Sequence, residues 1–156
     1  MATVRASIDV DTPVKTAYNQ WTQFEDFPQF MSGVKSVRQV DDKTLQWHAS
    51  IAGNDEEWTA EIYEQEPDTV IAWRSTTGVQ NSGRVDFEPI DENKTRVNLT
   101  MEWEPEGPIQ TAGDVLGFDQ RQVEGDLGRF KEFIESRGAE TGAWRGEINE
   151  GTTVGS

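Results

Sequence analysis

The fold is decided by residues 44–75, TLQWHASIAGNDEEWTAEIYEQEPDTVIAWRS, in which three segments carry large apolar side chains at every second position. Successive side chains of a strand point to opposite faces of a sheet, so the apolar residues of each segment share one face. Turn-like residues, Gly53-Asn54-Asp55 and Pro67-Asp68, separate the segments, and such short connections imply antiparallel neighbours. The predicted apolar faces consist of Leu45, Trp47, Ala49 and Ile51; Trp58, Ala60 and Ile62; and Ile71 and Trp73.

The same alternation extends to both sides of this stretch and predicts seven strands in all. Phe87 has the parity of Val85, and Trp103 has the parity of Val97, so two further aromatic rings join the apolar face. The intervening positions are mostly polar, which is typical of a solvated outer face. The predicted strands are Thr3–Val10, Val34–Val40, Thr44–Ala52, Glu57–Glu64, Thr69–Thr76, Ser82–Pro89 and Thr95–Glu104.

Helical spacing is confined to three places. Thr12 is expected to cap a short helix that has Pro13 at its first position, and the phenylalanines around Pro28 indicate a second helical turn, broken by this proline. The only long helix is expected to end at about Arg137, with one apolar stripe. That stripe consists of Leu116, Val123, Leu127, Phe130 and Ile134.

We therefore predict one α+β domain over residues 1–137. Residues 138–156 are rich in Gly, Thr and Glu, and we expect them to form a flexible tail. Within this tail, Trp144 is expected either to dock on the domain or to cover an opening in it.

Composition excludes several classes of function. The chain has 156 residues, no cysteine and a net charge of −15. This charge repels phosphate backbones, so we predict no nucleic-acid partner. Without cysteine, disulfides and thiolate chemistry are impossible, and no apolar segment approaches the roughly 20 residues that a bilayer requires. We expect a cytoplasmic protein. Its acidity fits solubility, adaptation to salt or an acidic docking surface for a basic protein.

Residues for the familiar catalytic chemistries are few. His48, the single histidine, has outward parity, and no nucleophile elbow, phosphate-binding loop or dinucleotide fingerprint occurs. We therefore predict no metal site and no cofactor. Asp119 lies about 50° from the apolar stripe, and its carboxyl is the first candidate for proton transfer if it lies in a pocket. Contact of Asp119 with solvent or a nearby loop is the alternative.

One strand, two short helical pieces, six strands and a long C-terminal helix is the order of the helix-grip fold. The chain resembles the polyketide cyclase/dehydrase branch of the START-like (SRPBCC) superfamily, which includes coenzyme Q-binding START-domain proteins. The residues that carry this resemblance lie at 13, 17–21 (AYNQW), 24–31 (FEDFPQFM), 71–75 (IAWRS), 81–87 (NSGRVDF), 125–127 and 130–131.

The resemblance covers about residues 2–137 and implies a START-like, birch-pollen-allergen-like fold. In that fold a curved seven-stranded antiparallel sheet surrounds the C-terminal helix, with a cavity between them. The resemblance also implies a lipid, sterol, polyketide or quinone as the ligand and, for a minority of members, catalysis of ring closure and dehydration.

Three functions remain open from the sequence. The first is binding or carriage of a small hydrophobic ligand (a lipid, quinone or polyketide-like molecule), because the inward aromatic surface exceeds what one helix can cover. The second is a polyketide cyclase or dehydratase that uses Asp119, and the third is an acidic interaction or stress-associated module with a filled core. The predicted ligand-binding residues are Trp47, Trp58, Ile62, Trp73, Ser75, Phe87, Met101, Trp103, Val123 and Leu127.

Overall fold

A computed structural model of the protein describes residues 2–31, 33–51, 54–78, 80–103, 120–143, 147–149 and 152–154. The main sheet is antiparallel, and its strands follow the order β1-β7-β6-β5-β4-β3-β2. Each strand predicted from the alternation is present, with ends shifted by a few residues, and the seven-stranded sheet with its C-terminal helix confirms the predicted fold class. The strands are β1 (Ala2–Val10), β2 (Val34–Asp41), β3 (Thr44–Ile51), β4 (Asn54–Glu66), β5 (Val70–Thr77), β6 (Asn81–Asp91) and β7 (Lys94–Trp103).

The described helices are α1 (Val14–Trp21), a 3₁₀ helix (Phe24–Gln29) and α2 (Gln120–Arg137). The prediction that Thr12 caps α1 is wrong, because the N-cap is Pro13, with φ −61° and ψ 152° and no side-chain hydrogen bond. Thr12 therefore lies one residue before the N-cap position. Its carbonyl accepts a hydrogen bond of 2.8 Å from Thr95 Oγ1. Pro28 lies inside the 3₁₀ helix, near its end, so that this short element loses only one N–H donor.

The helices cover the apolar face of the sheet from different sides. The helix α1 packs on β6 and β7, the 3₁₀ helix on β2, and α2 on β1. Along β6, Gly83, Val85 and Phe87 are buried, whereas the residues between them are partly exposed. The alternation of apolar and polar residues therefore predicted correctly which side chains of this strand face the core. The ring of Tyr18 in α1 meets Phe87 edge to face, with centroids 5.5 Å apart.

After α2 the chain returns to α1 through hydrogen bonds. Asn19 Nδ2 donates to Glu140 Oε2 at 2.7 Å, and the backbone N–H of Thr141 donates to Gln20 Oε1 at 3.0 Å. Both amide side chains of α1 are buried, so each needs a polar partner inside the protein. The segment after α2 supplies these partners.

Two further strands lie in the region that we expected to form a flexible tail. The strand β8 (Glu147–Asn149) pairs with Glu64 and Gln65 of β4, and β9 (Thr152–Val154) pairs with β8. The position is open because β4 continues past Glu61, where its pairing with β3 ends. The side chain of Ile148 in β8 is fully buried in the core. The structure thus differs from the expected flexible tail over these residues; Trp144 lies outside the described ones.

Candidate functional site

Three tryptophans of adjacent strands stack on the inner face of the sheet. Trp47 of β3 and Trp58 of β4 are direct register partners, and their rings lie 8° from parallel with centroids 5.8 Å apart. Trp47 also stacks with Trp73 of β5, at 5.9 Å and 26°. In the register Ala60 of β4 is diagonal to Trp47 and to Trp73, and its small side chain leaves room for this contact. We call Trp47, Trp58 and Trp73 the indole stack.

The position of Trp73 depends on a glycine of the neighbouring strand. Gly83 of β6 is the register partner of Trp73. A methyl group placed on Gly83 would lie 2.5 Å from Cζ2 and 2.7 Å from Cε2 of the Trp73 ring, much closer than van der Waals contact. The indole therefore lies directly on the backbone of β6, which is possible only because residue 83 has no side chain.

Aromatic residues of the 3₁₀ helix cover the indole stack. Phe24 meets Trp73 perpendicularly, with centroids 5.8 Å apart. Phe27 contacts Trp47 at 5.8 Å and Trp73 at 6.3 Å, and it also packs on Trp21 of α1 at 5.3 Å. These distances are those of favourable edge and offset contacts between rings. The 3₁₀ helix, α1 and the central strands therefore share one aromatic cluster.

Three indole N–H groups of this cluster have no hydrogen-bond partner among the residues that the structure describes. They are the buried Nε1 atoms of Trp21, Trp47 and Trp58. An indole can only donate, and a buried donor without an acceptor costs about 1–3 kcal/mol. Leucine or phenylalanine would fill the same core without that cost. The use of tryptophan at these positions therefore leaves three buried donors without an acceptor in the described part of the protein.

The structure places most of the predicted ligand-binding residues in one core cluster. Ser75 is only half-buried, whereas the side chain of Trp103 and all of Asp119 lie outside the described residues. The role of these residues in binding stays a prediction. The residues with exposed fractions of 0–6% are Trp47, Trp58, Ile62, Trp73, Phe87, Met101, Val123 and Leu127.

Ser75 lies at a cleft where β5 and β6 separate. The pairing between these strands ends at Arg74 and Ser82, although β5 continues along β4. The hydroxyl of Ser75 accepts a hydrogen bond of 3.0 Å from the backbone N–H of Asn81, at the start of β6. The cleft has a volume of about 320 Å³, and its walls include Tyr63 and Arg74 of the outer face. Its polar walls distinguish it from the apolar indole stack.

The described acid of α2 with the least exposure serves to anchor the helix. Asp126 is 8% exposed and forms an ion pair with Arg129. Arg129 Nε in turn donates a hydrogen bond of 3.0 Å to the carbonyl of Phe30. This chain of contacts connects α2 to the end of the 3₁₀ helix. Asp126 and Arg129 are three residues apart beside the apolar stripe, and this spacing was the sequence signal from which their ion pair could have been predicted.

The carboxyl groups with shifted pKa values lie on the surface. A hydrogen bond from Arg96 lowers the pKa of Asp9, and one from Lys131 lowers the pKa of Glu135. His48 is half-buried and has the outward parity that we predicted. Among the described residues there is no group of three potential metal ligands, and none of the described helices is long and apolar enough to cross a membrane.

Comparison with known proteins identifies the family of this chain. Residues 10–132 match the family model described as polyketide cyclase / dehydrase and lipid transport. The chain belongs to this family. An uncharacterized 17.2 kDa protein from Streptomyces lincolnensis is 50% identical over 149 residues, which cover 95% of this chain and 99% of that protein.

Solved structures share the fold of this family member. A protein from Deinococcus radiodurans is 28% identical and has a TM-score of 0.72, with 88% of this chain and 99% of that chain covered. The Zhui aromatase/cyclase of a Streptomyces species is 16% identical and has a TM-score of 0.69 over 92% of this chain and 99% of that one. A START superfamily protein from Mycobacterium smegmatis is 15% identical with a TM-score of 0.68, over 86% and 95% of the two chains.

Proposed function

We propose that the protein binds a small, apolar, ring-containing molecule at the indole stack and carries it without changing it chemically. The observation that carries this proposal is the stack itself, whose rings lie side by side on three adjacent strands and include two N–H groups that have no acceptor among the described residues. Flat aromatic faces bind planar ligand rings through offset and edge contacts, each worth about 0.5–1.5 kcal/mol beyond the burial of apolar area. A few polar groups among apolar walls are typical of small-molecule sites.

The cover of the indole stack supplies a route to it. Phe24 and Phe27 belong to one six-residue 3₁₀ helix that contains Pro28, and hydrogen bonds in such helices have poorer geometry than those of an α-helix. The 3₁₀ helix is held to neighbouring elements from outside, for example by the hydrogen bond from Gln20 Nε2 to Asp26 Oδ2 (3.1 Å). Movement of this short helix would uncover the indoles while the sheet stays intact.

The family is compatible with a carrier as well as with an enzyme. Its description includes lipid transport as well as cyclase and dehydrase activity, and the ligands we propose are lipids, quinones such as coenzyme Q, and polyketide-like molecules. Asp126 is engaged by Arg129, and the resolved carboxyl pKa shifts lie on the outer surface of the described part. We extend the proposal to a cytoplasmic location, which the absence of cysteine supports.

Catalysis is the second candidate function, and the fold shared with the Zhui aromatase/cyclase favours it. In that case Asp119 would transfer a proton during ring closure or dehydration of a polyketide-like substrate. The substitution Asp119→Asn tests this assignment directly. Turnover of a polyketide substrate that is unchanged in this variant would exclude Asp119 as the catalytic acid or base.

The carrier proposal is tested by binding experiments on a pair of matched variants. Native mass spectrometry identifies a co-purifying molecule, and titration calorimetry measures its affinity. We expect Trp58→Ala to weaken binding about tenfold, equivalent to about 1.4 kcal/mol. Tyr63→Ala removes an aromatic ring from the opposite face of the same strand and should leave the affinity unchanged.

Two results would contradict the proposal. If the Tyr63 variant loses affinity and the Trp58 variant keeps it, the ligand binds in the outer cleft. If no apolar molecule co-purifies or binds, the aromatic cluster is a filled core, and the interaction-module hypothesis stands.

A further inference from the structure

We infer that the segment after α2 controls access to the indole stack, because it fastens the 3₁₀ helix that covers the stack. This segment comprises residues 138–143 and precedes β8. Opening of the 3₁₀ helix then requires that its hydrogen bonds to the segment break. The inference rests on the proposed function for the ligand, whereas the opening of the helix is measurable without one.

The segment reaches the 3₁₀ helix because the chain reverses its direction at the end of α2. Gly138 has a φ of +74°, a left-handed conformation that glycine adopts without strain, and its N–H donates a hydrogen bond of 3.0 Å to the carbonyl of Ile134. This arrangement ends the helix and returns the chain towards α1. Beyond the segment, the fully buried side chain of Ile148 anchors β8 on β4. The segment is therefore anchored at α2 and at β8.

Three side chains from three elements form a closed ring of hydrogen bonds, which we call the clasp. Its members are Gln20 of α1, Asp26 of the 3₁₀ helix and Thr141 of the segment. Gln20 Nε2 donates to Asp26 Oδ2 at 3.1 Å and to Thr141 Oγ1 at 3.2 Å, and the hydroxyl of Thr141 donates to the same carboxylate oxygen. The backbone N–H of Thr141 donates to Gln20 Oε1 at 3.0 Å. Thr141 therefore connects the segment to both other members.

The clasp holds the part of the 3₁₀ helix that lies over the indoles. Asp26 directly precedes Phe27 in the chain. The ring of Phe27 contacts Trp47 at a centroid distance of 5.8 Å and Trp73 at 6.3 Å. Because the two residues are adjacent in a short helix, displacement of Phe27 pulls the Asp26 carboxylate away from Thr141. The covered state of the indoles and the closed state of the clasp therefore occur together.

Two further contacts keep the segment in place beside the clasp. Asn19 Nδ2 donates a hydrogen bond of 2.7 Å to Glu140 Oε2. A methyl group placed on Gly142 would lie 2.6 Å from Oε1 of Gln23, the residue that precedes the 3₁₀ helix. The segment thus passes directly along the start of this helix.

Other hydrogen bonds hold the two ends of the 3₁₀ helix to the main domain. The backbone N–H of Gln39 in β2 donates to Glu25 Oε2 at 2.8 Å. Arg129 Nε of α2 donates to the carbonyl of Phe30, just after the helix, at 3.0 Å. Both donors belong to elements that stay in place when the clasp opens. Loss of the clasp should therefore loosen the 3₁₀ helix without unfolding the domain.

Hydrogen–deuterium exchange measures the opening of the 3₁₀ helix in the full chain. Thr141→Val removes the hydroxyl of the clasp at nearly the same side-chain volume, at an exposed position. A hydrogen bond to a charged group contributes enough free energy to change a local opening equilibrium about tenfold. We therefore expect the amides of Phe30 and Met31, which donate to the carbonyl of Phe27, to exchange about tenfold faster in the variant.

The matched control is Thr69→Val, which makes the same chemical change at another exposed threonine. The hydroxyl of Thr69 donates a hydrogen bond of 3.3 Å to the carbonyl of Pro67, in the turn between β4 and β5. This variant should leave the exchange of the Phe30 and Met31 amides unchanged, because its hydroxyl belongs to a turn rather than to the clasp.

Stopped-flow fluorescence with N-phenyl-1-naphthylamine, a neutral apolar dye, tests access to the indole stack. A dye that enters after the cover opens associates at a rate proportional to the open fraction, so Thr141→Val should raise its association rate constant about tenfold. Thr69→Val should not change it. Because coupling between two equilibria is reciprocal, saturation with the dye should also speed up the exchange of the amides of residues 139–143 in the unaltered protein.

Three results would overturn the inference: unchanged exchange of the Phe30 and Met31 amides in Thr141→Val, an unchanged association rate of a dye that does bind, or exchange of residues 139–143 that the bound dye leaves unaltered. Absence of dye binding to all three proteins would instead count against the carrier proposal. The exchange of the Phe30 and Met31 amides would then decide alone whether the clasp holds the cover.

Discussion

The substitution Gly83→Ala tests how the indole stack is positioned. The added methyl would lie 2.5 Å from Cζ2 of Trp73, whereas ordinary van der Waals contact begins at 3.4 Å, so the ring must move by about 1 Å. Such overpacking of a well-packed core costs about 1–3 kcal/mol. For a domain of this size that corresponds to a decrease in Tm of about 2–12 °C. Movement of Trp73 would also disturb its contacts with Trp47, Phe24 and Phe27.

Thermal unfolding followed by near-ultraviolet circular dichroism measures both effects of this substitution. The matched control is Gly128→Ala in α2, because, apart from the adjacent backbone of α2 itself, no atom of the described residues lies within 4 Å of the added methyl at that position. Alanine is favoured over glycine in a helix by about 1 kcal/mol, so the control should gain stability. If Gly83→Ala left both the Tm and the tryptophan signal unchanged, the close approach of Trp73 to β6 would be refuted.

Two further predictions concern the C-terminal segment and the dependence of stability on pH. Ile148→Asp should undock β8 from β4, because a carboxylate cannot replace a fully buried apolar side chain. Limited proteolysis should then cleave the chain after residue 138 while the main sheet stays folded. Unchanged resistance of this segment to the protease would contradict the prediction. Hydrogen bonds from Arg96 and Lys131 lower the carboxyl pKa values of Asp9 and Glu135 in the folded state. These two carboxylates therefore stabilise the fold at pH values above their unfolded pKa values of about 4. This stabilisation is lost as the pH falls through the lower pKa values of the folded state. Asp9→Asn should therefore reduce the fall in Tm between pH 6 and pH 3, and an unchanged slope would argue against the contribution of this carboxyl.

The strands of this protein were predictable because their pattern is local. Trp47, Trp58 and Trp73 have the parity of their aliphatic neighbours, and this parity alone assigned them to the inner face. The helical apolar stripe likewise identified Val123 and Leu127 as core residues, which the structure confirms.

The contributions of the C-terminal segment were not predictable in the same way. Ile148 is a single apolar residue among Gly, Thr and Glu, and no periodic pattern surrounds it. It is buried because β4 extends beyond β3 and offers free backbone groups, which is a property of two distant segments. Thr141 similarly has no local signal for its contact with Gln20, 121 positions away in the chain.

The sequence by itself determined which side chains face inward, because the alternation of a strand depends only on neighbouring residues. Only the tertiary structure decided how those side chains meet. Three features depend on strand register and on the position of the 3₁₀ helix: Trp47 stacks on Trp58, Trp73 lies on Gly83, and the N–H groups of Trp47 and Trp58 have no acceptor among the described residues. Register and helix position are long-range properties, fixed by the packing of the whole domain.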